Sequence, residues 1–166
     1  SIISEINNLK VLEIGCGLGS ESLFMSMKGA SVLGIDINSE RLNTATARKK
    51  IIEKALGKKL GCEFKNLSVL DLNEEQKFDL IWMEQAFHHL EPREEVVKKI
   101  SQLLKPEGTV IISEANAWNP LIQIQLLMRR GFKTIKYYTD SDGKKHVYGN
   151  ERIVIPMVLS KKFKKD

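Results

Sequence analysis

Cysteine is scarce in this chain of 166 residues: the two, Cys16 and Cys62, stand far apart and in no paired-ligand spacing, which argues against both a disulfide framework and a zinc site. No apolar run reaches membrane-spanning length. The opening Ser1-Ile2-Ile3-Ser4-Glu5-Ile6 has the layout of neither a signal peptide nor a transit peptide, so the expected compartment is the cytoplasm. Internal repeats and low-complexity linkers are also missing, and nothing marks a second domain. The length suits one domain with a sizeable core, short for an α/β enzyme that carries its own substrate domain. The chain opens on serine rather than methionine, as a fragment or processed chain would. Its net charge of +5 is uneven: residues 129–166 hold eleven Lys or Arg against four Asp or Glu, whereas the first 128 hold fifteen against seventeen. Such a basic end can meet phosphate, an anionic acceptor or a membrane surface, or simply form a solvated face.

Glycine, by contrast, is concentrated where it carries information. Val11-Leu12-Glu13-Ile14 is an apolar strand that runs into Gly15-Cys16-Gly17-Leu18-Gly19. A glycine turn at the end of a buried strand lets a ligand approach bare backbone, and the helix that follows points free N–H groups toward it. Val32-Leu33-Gly34-Ile35-Asp36 is a second apolar strand ending in a carboxylate, the usual place to hold ribose hydroxyls. Together they specify a nucleoside-binding half of an α/β sheet.

Strand and helix patterns alternate through most of the chain, predicting a parallel sheet covered on both faces. Strands are expected at Lys10–Gly15, Ser31–Asp36, Cys62–Leu67, Phe78–Met83 and Thr109–Ser113. The first helix, about Ser20 to Lys28, is expected to bury Leu23, Phe24 and Met27. The second, capped by Asn38 or Ser39, should face Leu42, Ala45, Ile52 and Ala55 inward. A third starts with Pro92 at its first position and buries Val96, Val97, Ile100, Leu103 and Leu104. Beyond strand five, Pro120–Arg130 reads as helix, Phe132–Tyr138 and Lys144–Tyr148 as a hairpin around Asp142-Gly143, and Ile155–Lys165 as a terminal helix.

Four stretches in order, Glu13 to Gly19, Asp36, Phe78-Asp79-Leu80-Ile81-Trp82 and Leu103-Leu104-Lys105-Pro106-Glu107-Gly108, resemble the class I S-adenosylmethionine-dependent methyltransferases. The likeness is greatest to the small-molecule branch of ubiquinone and menaquinone biosynthesis and covers roughly residues 8–116. It implies a Rossmann-like, doubly wound, mostly parallel α/β sheet of strand order 3-2-1-4-5. Within a single domain, 1–166, residues 8–116 would be the cofactor-binding core, and 117–166 an acceptor-side helix, a hairpin insertion and the terminal helix. The rival dinucleotide-binding oxidoreductase wants G-x-G-x-x-G; here Gly19 falls one position early, Ser20 takes the third glycine's place and Glu13 has no role.

The resemblance also implies the site. Glu13 would fix the turn and the methionine amino group, while Gly15, Cys16, Gly17 and Gly19 bring backbone to the methionine part of the cofactor. Asp36 would accept both ribose hydroxyls and Ile37 cover one adenine face. The adenine edge falls to Ser68 and Val69, a departure from the family's aspartate; Asp71 is an alternative contact or a helix cap. Met83 and Glu84 would line the sulfonium, whose partial positive charge suits a carboxylate. Glu84, His88 and His89 are the candidate catalytic residues, either histidine being able to take a proton from an acceptor or to serve as a structural donor. Gln85, His88, Glu114, Asn116 and Trp118 would wall the acceptor pocket, unless Trp118 is plain packing under the hairpin.

The implied reaction is in-line methyl transfer from S-adenosylmethionine to an O, N or C nucleophile of a small, possibly anionic or lipid-like molecule, leaving S-adenosylhomocysteine. The work is mostly alignment at about 3 Å and exclusion of water, and no metal is called for. Alternatives are a cofactor-binding scaffold and, on the basic end alone, a nucleic-acid methyltransferase, though Met83-Glu84-Gln85-Ala86 stands where amino-methylating base enzymes carry Asn-Pro-Pro-Tyr. The family closes its sheet with antiparallel strands six and seven. Strand six would be expected to begin where this sequence ends: either Phe132–Tyr148 supplies an unusual substitute or, the favoured reading, the form is truncated with that hairpin as an insertion over the pocket, which would leave the strand-five edge open to dimerisation.

Overall fold

Apolar residues at both parities make β1 (Lys10–Ile14) a strand buried on two faces, and it takes the centre of the sheet. In this computed structural model, which describes residues 6–73, 75, 77–114, 124, 128, 135–139 and 145–150, the chain continues through α1 (Ser20–Met27), β2 (Ser31–Asp36), α2 (Ser39–Leu56) and β3 (Cys62–Asn66). A 3-10 turn at Val69–Asp71 leads to β4 (Phe78–Glu84), and a second at Phe87–His89 to α3 (Arg93–Leu103) and β5 (Leu104–Ser113). The five strands are all parallel in the order β3-β2-β1-β4-β5, as expected. The predicted hairpin is present as β6 (Ile135–Thr139) antiparallel to β7 (Lys145–Asn150), a separate two-stranded sheet. Of the predicted helix at 120–130, Ile124 and Met128 are helical; the remainder, and the terminal helix at 155–165, lie outside the described residues.

The two sheet faces carry two cores. Leu12, Ile14, Leu33, Ile35, Ile81 and Met83 meet Val96, Ile100 and Leu103 of α3. Val11, Val32, Cys62 and Leu80 meet Leu23 and Met25 of α1. Each fully buried aliphatic side chain in these layers stabilises the fold by about 1.5–3 kcal/mol.

Three expectations about packing are corrected. Phe24 and Met27 of α1 are half-exposed, while Ser22, Met25 and Ser26 are buried beside Leu23. The helix turns its small polar face inward because Ser22 Oγ bonds the buried Glu13 and Ser26 Oγ bonds the Leu23 carbonyl, so satisfied polar groups outrank side-chain size. In α2 Ala55 is exposed and Ile52 only partly buried. The second half of that helix is tied by polar contacts instead: Lys49 Nζ donates to the Cys62 carbonyl and Glu53 accepts the Leu60 N–H. Pro92 precedes α3 as its N-cap rather than opening it.

β5 begins at Leu104, five residues before its predicted start. Pairing runs Phe78 to Leu104, then Leu80 to Thr109, so Lys105–Gly108 bulges out of register, and Pro106 is tolerated there because it needs no ladder donor. Lys105 Nζ lies 2.7 Å from Asp79 Oδ1 and the Lys10 N–H donates to Asp79 Oδ2 at 2.8 Å. These two donors, the lysine foremost, hold the Asp79 carboxyl below the usual range. The clamp ties the amino ends of β1 and β4 to the bulge.

Candidate functional site

Beyond Ile14 the chain cannot remain a strand: Gly15, Gly17 and Gly19 have φ of +74°, +51° and +71°, the left-handed region that glycine enters without steric cost. The N–H groups of Gly15 and Cys16 both reach the Ile35 carbonyl, at 2.9 and 3.0 Å, and Gly19 N–H closes the turn on Cys16 O at 2.8 Å. The three glycines do different work. A Cβ on Gly15 would stand 2.6 Å from Ala86 Cβ, and one on Gly19 2.6 Å from Phe64 and 3.0 Å from Ala45, whereas one on Gly17 would meet nothing within 4 Å. Two glycines are required by packing and the third borders open space.

That open side is joined to the end of β2. Asp36 Oδ2 accepts the Gly17 N–H at 2.8 Å and Oδ1 accepts the Asn38 N–H at 2.8 Å. Each carboxylate oxygen keeps lone-pair capacity for a further donor. Asn66 Nδ2 donates to the Asp36 carbonyl at 2.9 Å, and Asn38 caps α2 by accepting Arg41 N–H at 3.0 Å. Ile37, 80% exposed, stands beside this carboxylate.

Under the loop, Glu13 is 2% exposed and hydrogen-bonded by Ser22 Oγ. Burial raises its carboxyl to about 8 against the opposing bond from Ser22, and Glu21 and Glu84 push it further up. The buried thiols are inert nucleophiles: Cys16 is raised by burial and then by Glu13 and Asp36, and burial pushes Cys62 up to about 12.

Ser68 Oγ accepts the Leu70 N–H at 3.3 Å and caps the Val69–Asp71 turn, so the capping role considered for Asp71 belongs to Ser68. Val69 is buried and Asp71 exposed.

At the end of β4, Met83 is buried and Glu84 exposed. Gln85 takes φ +48°, unusual for a residue with a Cβ, and its N–H donates to Ser113 O at 2.8 Å. This turn delivers the Phe87–His89 3-10 segment, whose Phe87 is buried under the Arg93 guanidinium, 5.4 Å from the ring centroid. His88 Nδ1 lies 2.7 Å from Glu114 Oε2, and the His88 N–H donates to Glu114 Oε1 at 3.3 Å. An ionised carboxylate only accepts, so Nδ1 carries the proton and a neutral ring leaves Nε2 as a base. His89 is exposed, its ring centroid 3.8 Å from that of His88. β7 runs alongside this segment. Asn116 and Trp118 lie outside the described residues.

Apart from Cys62, at the amino end of β3, these groups gather at the carboxyl ends of the strands, where open α/β sheets bind ligands. A cavity of about 300 Å³ lined by Lys10, Ser31, Cys62 and Phe78 lies at the opposite ends of the strands and shares no residue with them. Among the described residues no His, Cys, Asp and Glu cluster could hold a metal. Sequence reasoning missed Ser22, Arg48 and Asn66. Ser22 and Asn66 carry no pattern in one dimension, and Arg48 is one of three consecutive cations in α2.

A family model described as a methyltransferase domain matches residues 12–110, from mid-β1 into β5. The chain belongs to the methyltransferase domain family. This methyltransferase domain is 33% identical over 111 residues to the ubiquinone biosynthesis O-methyltransferase of Pelagibacter ubique (strain HTCC1062), an alignment covering 67% of this chain and 44% of that protein. It spans rather less than half the length of the curated relatives that it matches. A solved S-adenosylmethionine-dependent methyltransferase from Methanosarcina mazei shares the fold with a TM-score of 0.71 at 23% identity, covering 97% of this chain and 81% of that one. The [4+2]-cyclase SpnF shares it too, with a TM-score of 0.66, 18% identity and coverage of 98% and 54%. The last match is a reminder that the fold alone does not name the reaction.

Proposed function

We propose that this methyltransferase domain binds S-adenosylmethionine at the carboxyl ends of β1, β2 and β4 and methylates a hydroxyl of a small molecule held near β5. The observation that carries the reading is Asp36, tied through Gly17 N–H to the open side of the glycine loop with acceptor capacity left on both oxygens. When bound, the cofactor supplies an electrophilic methyl group on sulfur and departs as S-adenosylhomocysteine.

The chain's own residues do the rest. Asp36 accepts the ribose hydroxyls; Ile37 covers an adenine face, with Ser68 O–H and the Val69 backbone at its edge. Glu13 lies below the loop toward the amino group, and the ends of β4 at Met83 and Glu84 line the sulfonium. Glu114 grips both the ring and the backbone of His88, so that His88 Nε2 takes the proton from the acceptor hydroxyl. His89 packs on that ring, and Glu84 acts on charge rather than as a proton carrier. Gln85 borders the acceptor side, for which Asn116 and Trp118, outside the described residues, are the further candidates, and the hairpin, with β7 beside the histidines, closes over it. On this reading residues 8–116 form the cofactor-binding core, whose rim at Gln85, His88 and Glu114 also meets the acceptor, and 117–166 are the acceptor-side segment. The choice of a hydroxyl rests on the His88–Glu114 base and on the likeness to a relative named as an O-methyltransferase. A cytoplasmic location fits the same reading.

Isothermal titration with S-adenosylhomocysteine tests it: the parent chain binds, and Asp36→Ala binds roughly a hundredfold more weakly through loss of charge-assisted bonds. Equal affinity of the two proteins would refute the assignment.

A further inference from the structure

The glycine loop is held by more than its own backbone. With three left-handed glycines it has an unusually large conformational freedom to lose; the N–H groups of Gly15, Cys16 and Gly17 bond to Ile35 and Asp36 of β2, and that of Gly19 to Cys16 O within the loop. The Leu18 carbonyl and the entry to α1 are fixed from another element. Arg48 Nη1, on the third turn of α2, donates to Leu18 O at 2.7 Å and to Ser20 Oγ at 3.0 Å. α1 has no side-chain cap of its own: Gly19 occupies the N-cap with φ +71°. One turn before Arg48, Ala45 abuts the position that a Cβ on Gly19 would fill. Thus α2 forms the back of the loop, and the two N–H bonds of one planar guanidinium nitrogen fix the loop's last peptide and the helix's first hydroxyl at once.

We propose that Arg48 is a positioning residue that holds the Leu18–Gly19 peptide in the one orientation that aims Gly17 N–H at Asp36, and so presets the loop for its ligand. The proposal of a nucleoside-bearing cofactor comes from the reading above; the loop-holding itself does not depend on it. Without Arg48 the loop samples other arrangements. Apparent affinity then falls by the fraction of time spent in the competent one, while a saturating ligand restores the same bound state. A lysine supplies the charge without the planar geometry and restores only part of the hold.

The test uses the chain without ligand first. Amide hydrogen exchange followed by mass spectrometry compares the parent, Arg48→Ala, Arg48→Lys and, as a charge-matched control on the exposed side of α2, Lys50→Ala. Exchange across Gly17–Gly19 is expected to quicken about tenfold in Arg48→Ala, by less in Arg48→Lys, and not in Lys50→Ala. Titration with S-adenosylhomocysteine then gives about a tenfold weaker Kd for Arg48→Ala, an intermediate value for Arg48→Lys and an unchanged one for Lys50→Ala. Loop exchange in Arg48→Ala equal to that of the parent, or equally fast in Lys50→Ala, overturns the proposal. A parent chain that ignores S-adenosylhomocysteine counts against the cofactor reading alone, since the exchange comparison still decides the role of Arg48.

Discussion

Replacing Glu13 with Gln is expected to make the protein more stable at alkaline pH and a poorer ligand binder. Glu13 is almost wholly buried, is bonded by Ser22, and has the carboxyl groups of Glu21 and Glu84 as its charged neighbours, so the folded chain keeps its proton up to about pH 8, against an ordinary value of 4.5. The folded state therefore holds a proton that the unfolded state has released anywhere between those two values. Stability is fully present below about pH 4.5, and is lost as pH rises toward 8, at about 1.4 kcal/mol per unit. The accumulated loss is on the order of 5 kcal/mol. Glutamine has the shape of the neutral acid and does not titrate. Thermal unfolding of both proteins followed by circular dichroism from pH 5 to 8.5 should give nearly equal midpoints at pH 5 and a variant ahead by about 10 °C at pH 8.5, from 2–4 °C per kcal/mol for a chain of this size. Taking the difference between the proteins removes every other titrating group. A difference that stays constant with pH would mean that Glu13 ionises normally and that its burial exacts no such penalty. On the proposed function the binding effect has the opposite sign: a cationic amino group settling beside Glu13 expels its proton, so parent affinity for S-adenosylhomocysteine rises with pH up to about 8, and that of the variant is lower and flat.

The glycines separate packing from binding. Gly15→Ala forces a collision with Ala86 and is expected to lower the melting midpoint by several degrees. Gly17→Ala, with open space around it, pays only the left-handed strain of about 1–2 kcal/mol yet obstructs the ligand's approach, so its calorimetric Kd rises more than its midpoint falls; the reverse ranking would contradict the assignment of Gly17 to the open side. The bond between His88 and Glu114 should appear in proton NMR as a downfield exchangeable imidazole resonance. It should be absent in both His88→Ala and Glu114→Ala, and a signal surviving in either variant would break the pairing.

Much of the fold is legible in the sequence because each apolar run in a doubly wound sheet is bounded by its own punctuation. Gly15, Gly29, Gly57 and Asn38 mark ends of elements that the structure reproduces to within a residue or two. What escaped was decided by partners distant in sequence. Phe24 looks like core, but the serines of α1 have a buried carboxyl to satisfy, so the helix turns. β5 was expected to start at Thr109 because Lys105-Pro106-Glu107-Gly108 reads as a breaker. On an edge strand that stretch is a bulge, held by Asp79 from a strand begun 26 residues earlier. In the site, the adjacent histidines are equivalent by sequence, and Glu114 distinguishes them only once β4 and β5 lie side by side.

The family resemblance mixes two kinds of residue, and this bears on how far it can be followed. Glu13 to Gly19 and Asp36 stand at the carboxyl ends of the strands, within reach of a ligand. Asp79, Lys105 and Gly108 stand at the other end of the sheet, where a charged pair fastens the β5 bulge and Gly108 leaves room for the Leu104 side chain. The clamp lies where β5 first meets β4, and the register of that pair brings Glu114 to His88. The downstream motif therefore speaks for the sheet and only indirectly for the chemistry. At the far end of that register lies the contact between His88 and Glu114, on which the proposed activation of the acceptor rests.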